Sequence, residues 1–239
     1  MTLNPKHDPS CRLCLSFGEP SGSVAYDQSL YGNHGTIVGA ARIRAWPQFG
    51  IYCDGVDDYV SIPLRFVNLY SEWTLCVWLK WRYRYPESYR FALANGLWLN
   101  SGFVVLLDKI YDRMFWEIYD DALGRRNVAL FTATGRWFFA TVTFKTYTAL
   151  RVYYDGALKG ENADVSVIRP TTYDFVLGAQ GDGSVFGAVD IGEVRVYDRV
   201  LSDSEIRTLY VYGKQRLRQP RAPAFRKRLW KRLWPTVRV

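Results

Sequence analysis

Short runs in which apolar and polar residues alternate occur along most of this sequence, and they limit the folds that it can adopt. These runs recur from about residue 11 to residue 200, separated by Gly, Asn, Asp or Pro. A period of two is typical of strands with one buried face, whereas amphipathic helices repeat every 3.6 residues. The longest run, WTLCVWLKW, places its apolar residues on one face: Trp73, Leu75, Val77, Leu79 and Trp81.

About a dozen such runs with no helical periods between them predict an all-β fold, a two-sheet antiparallel β-sandwich of jelly-roll type. Aromatic residues make up 16% of the chain, which favours sheets over helices. Asp155-Gly156, between RVYY and ALKG, predicts a two-residue hairpin, because such turns need positive φ angles that glycine adopts freely.

One short helix is predicted after the last strand. Ser202 and Glu205 have the spacing of a capping box, in which each side chain bonds the backbone amide of the other residue. Ile206, Leu209 and Tyr210 then form an apolar stripe. We expect this helix to end the globular part near Gly213, a suitable residue for the position after a helix.

The net positive charge of the chain comes from its C-terminal segment. The net charge is +8, but residues 213–239 hold 10 of the 31 basic residues and none of the 23 acidic ones. Residues 1–212 therefore carry 21 basic and 23 acidic side chains, a charge of −2. These observations divide the chain into an N-terminal arm (1–10), a β-sandwich (11–212) and a basic linker with an amphipathic segment (213–239).

The end of this basic tail has the pattern of an amphipathic helix. Its apolar stripe consists of Phe225, Leu229, Trp230, Leu233 and Trp234. The opposite side carries five cations, Arg226, Lys227, Arg228, Lys231 and Arg232. Such a segment anchors a domain to a larger assembly, lies on an anionic membrane surface, or binds nucleic-acid phosphates. The sequence leaves these three partners open.

Cysteine content and hydropathy argue against a disulfide scaffold, a metal site held by cysteines and a transmembrane helix. Four cysteines are too few for a disulfide scaffold of this length, and we expect reduced, mostly buried thiols rather than a metal site. The N-terminal residues lack the pattern of a secretory signal, and no apolar run approaches the ~20 residues that span a bilayer.

Four segments in order resemble the laminin-G-like, concanavalin-A-like jelly-roll family. They are YDQSLYGNHGTIVGA (26–40), FGIYCDGVDDYVSIP (49–63), GRWFFATVTF with LRVYYDGALKG (135–160), and VDIGEVRVYDRVLSDSEIRTLY (189–210). The resemblance covers residues 11–212 and implies two packed antiparallel sheets, one of them concave. Members of this family are mostly non-catalytic and bind glycans, proteins or matrix components.

The resemblance also implies a calcium ion near the edge of the sandwich. The candidate ligands are Asp27 and Asn33 in the first loop and Asp190 at the start of a late strand. Calcium prefers six to eight oxygen ligands, which carboxylates and loop carbonyls supply in part. Gly192 stands where many relatives have Asp, which weakens the match. The alternative is that Asp27 and Asn33 only stabilise a turn through hydrogen bonds to the backbone.

Carboxylates in the sequence do not form the pairs that a glycosidase requires. Glucanases of this fold use acids on one strand face, whereas Glu117 and Asp120, like Asp190 and Glu193, are three apart and are predicted on opposite faces. We therefore predict no catalytic residues, and a glycoside hydrolase remains the third alternative. Asp54-Gly55 is predicted to form a turn, with Asp57 or Asp58 solvated.

The segment WRYRYPESYRF (81–91) is the sequence's candidate binding surface on the sandwich. Strand alternation places Trp81, Tyr83 and Tyr85 on one side, with Arg82 and Arg84 on the other. Aromatic rings stack on sugars, and Tyr and Arg are enriched where proteins bind one another. The alternative is that these aromatics cover the core and the arginines are solvated.

The sequence favours a non-catalytic binding or structural module. The preferred interpretation is a component of a virion or similar particle, held by its basic tail, which recognises a glycan, a host surface or neighbouring subunits. A nucleic-acid-associated structural protein is the second interpretation. A second copy of the chain, in a homo-oligomer, is a further candidate partner.

Overall fold

The computed structural model describes residues 4–43, 49–82, 89–108, 113–122, 124–131 and 135–216. The strands are β1 (Cys11–Leu15), β2 (Val24–Ala25), β3 (Gly35–Val38), β4 (Ala41–Ile43), β5 (Gly50–Asp54), β6 (Tyr59–Ile62), β7 (Glu72–Trp81), β8 (Tyr89–Leu97), β9 (Ser101–Asp108), β10 (Arg113–Asp120), β11 (Gly124–Phe131), β12 (Phe138–Lys145), β13 (Ala149–Tyr154), β14 (Ala157–Asn162), β15 (Phe175–Leu177) and β16 (Ala188–Tyr197). The helices are α1 (Phe66–Leu69) and α2 (Asp203–Arg216), and a single 3-10 turn precedes β1.

The strands form two antiparallel sheets that face each other. The first sheet has the order β14-β13-β12-β7-β16-β5-β4, with β1 also paired to β16. The second has the order β11-β10-β9-β8-β15-β6-β3-β2. The prediction of an antiparallel sandwich is therefore confirmed.

The core lies between the sheets and is rich in aromatic rings. Trp73 and the other alternate residues of β7 predicted to share a face are all buried in it. The ring centroid of Trp73 lies 5.0 Å from Phe66 and 5.1 Å from Phe103, both in edge-to-face contact. Rings at these separations prefer such tilted geometries over face-to-face stacking.

The predicted hairpin at Asp155-Gly156 is confirmed. Tyr154 pairs with Ala157, so two residues connect β13 to β14. Asp155 has a φ of 53° and Gly156 a φ of 78°, as two-residue hairpins of this kind require.

The predicted start of the C-terminal helix is confirmed, but its predicted end is wrong. The Ser202 amide donates to Glu205 Oε2 at 2.8 Å, and the hydrogen bond from Arg199 lowers the pKa of Glu205 to about 2. The helix continues through Gly213 to Arg216. Gly213 is not a terminator: a Cβ there would lie 2.8 Å from Trp78 Nε1, so glycine permits close contact between helix and sheet.

Helix α2 covers a second apolar cluster on the outside of the first sheet. Ile206 and Leu209 pack there with Trp78, Phe139 and Tyr197. The four cysteines are free and buried, as predicted. Burial raises the pKa of both Cys11 and Cys76 to about 12, so these thiols are protonated at neutral pH. In the part of the chain that the structure describes, neither helix is long and apolar enough to cross a bilayer.

Candidate functional site

The outer face of the second sheet carries a pocket formed by strands β9 to β11 and by the turn between β8 and β9. Alternate residues of β10 point outward, away from the core that holds Met114, Trp116 and Ile118. The pocket has a volume of about 330 Å³, and we name it the outer-sheet pocket. Its lining residues are Trp98, Leu106, Asp108, Arg113, Phe115, Glu117 and Arg125.

A buried carboxylate lies at the centre of the outer-sheet pocket. Trp98 Nε1 donates to Glu117 Oε2 at 3.1 Å, and the Tyr119 hydroxyl donates to the same oxygen at 2.8 Å. Arg125 Nε lies 3.2 Å from Glu117 Oε1. Glu117 is only 1% exposed, so its charge is held by neighbouring side chains rather than by water.

Burial raises the pKa of Glu117 above its usual value, opposed by hydrogen bonds from Tyr119 and Trp98 and by the charge of Arg125. Burial also raises the pKa of Tyr119, so its hydroxyl remains a donor at neutral pH. Glu117 thus fixes the orientations of an indole, a phenol and a guanidinium at one place.

The turn between β8 and β9 holds Trp98 above Glu117. The Asn100 amide donates to the Leu97 carbonyl at 3.1 Å, which closes the turn. Leu99 has a φ of 62°, a left-handed conformation that costs a branched residue roughly 1 kcal/mol or more. Its side chain is 61% exposed, next in sequence to the pocket residue Trp98. Strain of this kind concentrates at binding sites, where surrounding contacts maintain it.

Two arginines at the outer-sheet pocket stack on aromatic rings. The Arg125 guanidinium carbon lies 5.8 Å from the Phe115 ring centroid, and that of Arg113 lies 5.0 Å from Phe131. The pocket therefore presents apolar rings together with fixed hydrogen-bond donors. This composition is typical of sites that bind polar organic ligands.

A family model described as the Concanavalin A-like lectin/glucanases superfamily matches residues 54–207, more than half of the chain. The chain belongs to this superfamily. The resemblance drawn from the sequence is thereby confirmed. A search of curated protein sequences finds no significant match.

Solved structures of botulinum neurotoxin binding domains share the fold of this chain. The receptor binding domain of the C/D mosaic serotype has a TM-score of 0.71 at 16% identity, covering 85% of this chain and 51% of that one. The serotype D ligand binding domain in complex with N-acetylneuraminic acid has a TM-score of 0.70 at 16% identity, covering 85% and 51%. The binding domain of neurotoxin DC in complex with rat synaptotagmin II has 0.66 and 14%, covering 85% and 52%. The chain spans about half the length of these structures.

The structure places only part of the predicted binding segment. Trp81 is 1% exposed and its Nε1 lies 3.0 Å from Met114 Sδ, so its prediction as a ligand platform is wrong. It belongs to the core because the inward face of β7 extends through it. Arg82 donates to Asp190 Oδ1 at 2.6 Å. Tyr83, Arg84 and Tyr85, like the tail residues beyond 216, lie outside the described residues.

Hydrogen bonds to Asp27 organise the loop after β2. Asp27 accepts from the amides of Cys14 at 2.8 Å, Ser29 at 2.9 Å and Asn33 at 2.9 Å, and from the Ser29 hydroxyl at 2.6 Å. These donors occupy the lone pairs that a calcium ion would need. The predicted alternative, a turn held by side-chain to backbone bonds, describes what the structure shows here.

Asp190 does not join Asp27 and Asn33, so the predicted three-residue calcium set is wrong. Asp190 lies four residues along β16 from Val194, the residue opposite Leu15, which bridges to Asp27. Because β16 has a bulge in this stretch, that distance is about 10 Å along the strand, and two interstrand spacings of about 4.8 Å also separate β16 from Asp27. Asp190 instead pairs with Lys80 at 3.2 Å and with Arg82. Calcium binding at Asp27 and Asn33 stays a prediction.

The prediction that Asp190 and Glu193 lie on opposite faces is wrong, because β16 contains a bulge. The register of β16 against β7 shifts between Ile191 and Val194. Ile191 and Val194 both lie in the core, so Asp190 and Glu193 share the outer face rather than opposite faces. Each has its own cation, because Glu193 Oε1 accepts from Arg195 Nε at 2.8 Å. By contrast, Glu117 and Asp120 lie on opposite faces as predicted, and Asp120 accepts from the Ser166 amide.

The turn after β5 brings three acidic side chains together. Carboxylate oxygens of Asp54, Asp57 and Asp58 lie within 4.8 Å of one another. Asp54-Gly55 forms the predicted turn, with Gly55 at a φ of 89°. Asp57 is exposed, whereas Asp58 is buried and accepts from the Asp54 amide at 2.9 Å. Asp58 therefore has a structural role in the turn.

Proposed function

We propose that this protein is a non-catalytic binding module whose outer-sheet pocket takes a glycan. The observation that carries the proposal is the buried Glu117, which orients Trp98 and Arg125 at the wall of the pocket. Pre-oriented side chains bind with a smaller loss of conformational entropy than mobile ones.

The chemistry of the pocket suits a sugar ring. The C–H face of a sugar stacks on aromatic rings, and here Trp98 and Phe115 offer partly exposed rings. The exposed donors of Arg113 and Arg125 are available to sugar hydroxyls or to a carboxylate. Glu117 is a positioning residue in this arrangement, because its own oxygens accept from the protein.

The solved structures support a binding role without defining its ligand. One of those neurotoxin domains is in complex with N-acetylneuraminic acid and another with synaptotagmin II. The same type of sandwich therefore belongs to proteins that bind a sugar and a protein. The choice of a glycan here rests on the composition of the outer-sheet pocket.

Within the outer-sheet pocket, the arrangement of the acids supports a non-catalytic role over the glycosidase alternative. Asp108 is paired in register with Arg113, and Glu117 lies four residues further along β10, so the backbone positions of the two acids are about 13 Å apart along the strand. Both carboxylate oxygens of Glu117 are also engaged by neighbouring side chains. Retaining and inverting glycosidases hold their two carboxyl groups roughly 5–10 Å apart.

Trp98→Ala tests the pocket. In glycan-array binding followed by titration of the best glycan, we expect a loss of affinity of about 5-fold or more, because stacking contributes on the order of 1 kcal/mol per ring. Tyr147→Ala is the matched control, since Tyr147 is 75% exposed in the turn after β12. Equal affinities for native chain and Trp98→Ala would contradict the proposal.

We further propose that the module is displayed on a virion or similar particle through its basic tail. Support comes from the separation of charge, with +10 after residue 212 and −2 before it. The tail's apolar stripe and cations suit docking to an assembly. In this arrangement the sandwich binds its ligand while the tail provides attachment.

Deleting residues 217–239 tests the tail, because α2 extends to Arg216 and an earlier cut removes part of it. We expect the deletion to abolish co-sedimentation with the particle and to leave glycan affinity unchanged. A loss of binding to duplex DNA, RNA or anionic vesicles, with steep salt dependence in the intact chain, would instead favour a nucleic-acid or membrane role.

A further inference from the structure

The outer-sheet pocket continues sideways onto β11, the edge strand of the second sheet. Residues directly opposite each other in an antiparallel pair of strands point to the same face of the sheet. The outward residues of β10 that line the pocket are therefore flanked by outward residues of β11. The pairs in register are Arg113 with Phe131, Phe115 with Ala129, and Glu117 with Asn127.

Phe131 presents a large apolar surface beside the outer-sheet pocket. It is the last residue of β11 and is 71% exposed. Its ring is in contact with the guanidinium of Arg113, a residue of the pocket wall. Ala129, two residues earlier on the same face, has too small a side chain to separate Phe131 from the partly exposed ring of Phe115. An exposed aromatic residue that continues a pocket marks more of a binding surface, whereas one that stands alone does not.

Polar side chains with free hydrogen-bonding groups lie along the same surface. Among the residues that the structure describes, the Arg113 guanidinium has no hydrogen bond or ion pair, and the Asn127 side-chain amide has no hydrogen bond. Asn127 uses its backbone carbonyl instead, which accepts from Asn162 Nδ2 at 3.2 Å. Arg113 is exposed and Asn127 is partly exposed, so the groups of both are available to the hydroxyls of a ligand.

The backbone beneath this surface is occupied by the sheet. β10 pairs along its length with β9 on one side and with β11 on the other. A peptide therefore cannot add to β10 as a further strand. A ligand on this face contacts side chains alone, which suits a sugar that stacks on rings and bonds to polar groups.

The length of this surface exceeds that of one sugar. Trp98 lies at the level of Glu117, because its Nε1 donates to Glu117 Oε2 at 3.1 Å. Phe131 lies at the level of Arg113, and the backbone positions of Arg113 and Glu117 are four residues, or about 13 Å, apart along β10. Phe115 lies midway between them. A six-membered sugar ring, built from bonds of about 1.5 Å, spans roughly 5 Å, so one sugar cannot cover all three aromatic rings.

We propose that Trp98, Phe115 and Phe131 form one platform for a linear oligosaccharide of at least three sugar residues, with Phe131 as the subsite at one end. This inference rests on the proposed glycan function of the outer-sheet pocket. It adds the length of the ligand and a residue outside the pocket. Phe131 determines specificity in this arrangement, because it contacts only those glycans that are long enough to extend from the pocket to β11.

Titration of the full chain with fragments of one to six sugar residues, cut from the glycan with the strongest array signal, tests the platform. We expect the affinity to rise up to three or four sugar residues and then to level off. Phe131→Ala is expected to weaken binding of the trisaccharide and longer fragments by about 5-fold, because it removes one stacking ring, and to leave monosaccharide binding unchanged. Phe131→Trp keeps a ring and is expected to retain the dependence on length. Leu158→Ala is the matched control, at an exposed residue of β14, the edge strand of the first sheet.

The titrations separate failure of the platform from failure of the proposed function. A trisaccharide that binds no more tightly than the monosaccharide overturns the platform, as does a Phe131→Ala variant that affects every length equally or none. In those cases, weaker binding by Trp98→Ala still supports the outer-sheet pocket as the glycan site. If no glycan binds, or if an extended peptide binds in place of one, both proposals are wrong.

Discussion

Asp27→Ala is expected to lower the free energy of unfolding by about 3–5 kcal/mol, since each buried donor left without a partner costs roughly 1–3 kcal/mol. The substitution removes the acceptor of the Cys14, Ser29 and Asn33 amides. Partial hydration of the loop keeps the total below the sum of these costs. For a domain of this size we expect the melting temperature to fall by roughly 10 °C.

Asp57→Ala is the control for this variant, because Asp57 is exposed and its removal is expected to change stability by about 0.5 kcal/mol or less. Thermal and urea unfolding measure both. If the two variants melt together, the hydrogen bonds of Asp27 are not what maintains the loop. The same curves with calcium and then chelator test the calcium prediction, which requires a rise and a return in melting temperature.

Gly213→Val is expected to cost about 2 kcal/mol, in the range typical of overpacked sites. Its Cβ would lie 2.8–3.1 Å from three atoms of the Trp78 indole. The indole has little room to move, because its ring centroid lies 5.2 Å from Phe139 and 6.1 Å from Tyr210. The higher helix propensity of valine offsets only a few tenths of this cost.

Thiol labelling distinguishes a displaced α2 from a general loss of stability. Cys11, Cys14 and Cys76 are buried in the cluster that α2 covers. We expect Gly213→Val to increase their labelling under native conditions, whereas Gln215→Val, at an exposed position of the same helix, leaves it unchanged. Equal labelling of both variants would show that α2 tolerates a side chain at 213.

Local patterns in the sequence predicted most of the framework. Alternation in β7 identified its buried face, and the capping box at Ser202 identified the start of α2. Asp155-Gly156 predicted a hairpin because its residues accept the required φ angles. Each of these features depends on neighbours within a few residues.

The outer-sheet pocket was not predicted, although part of its signal is in the sequence. Alternation in RMFWEIYD places Glu117 and Tyr119 on one face, where the Tyr119 hydroxyl donates to Glu117. Trp98 comes from a different hairpin, 19 residues away from Glu117. No local sequence pattern predicts the contact between Trp98 and Glu117, because it depends on the register of β8, β9 and β10.

Composition and local sequence patterns are sufficient to identify an all-β member of this superfamily, with a sandwich of charge −2 and a separate tail of +10. The contacts between polar residues that are distant in sequence depend on the tertiary structure. The bulge between Ile191 and Val194 moved Glu193 to the face of Asp190, and close packing on Trp78 carried α2 past Gly213. Alternation and turn preferences are local, whereas bulges, registers and close contacts are set by strands distant in sequence.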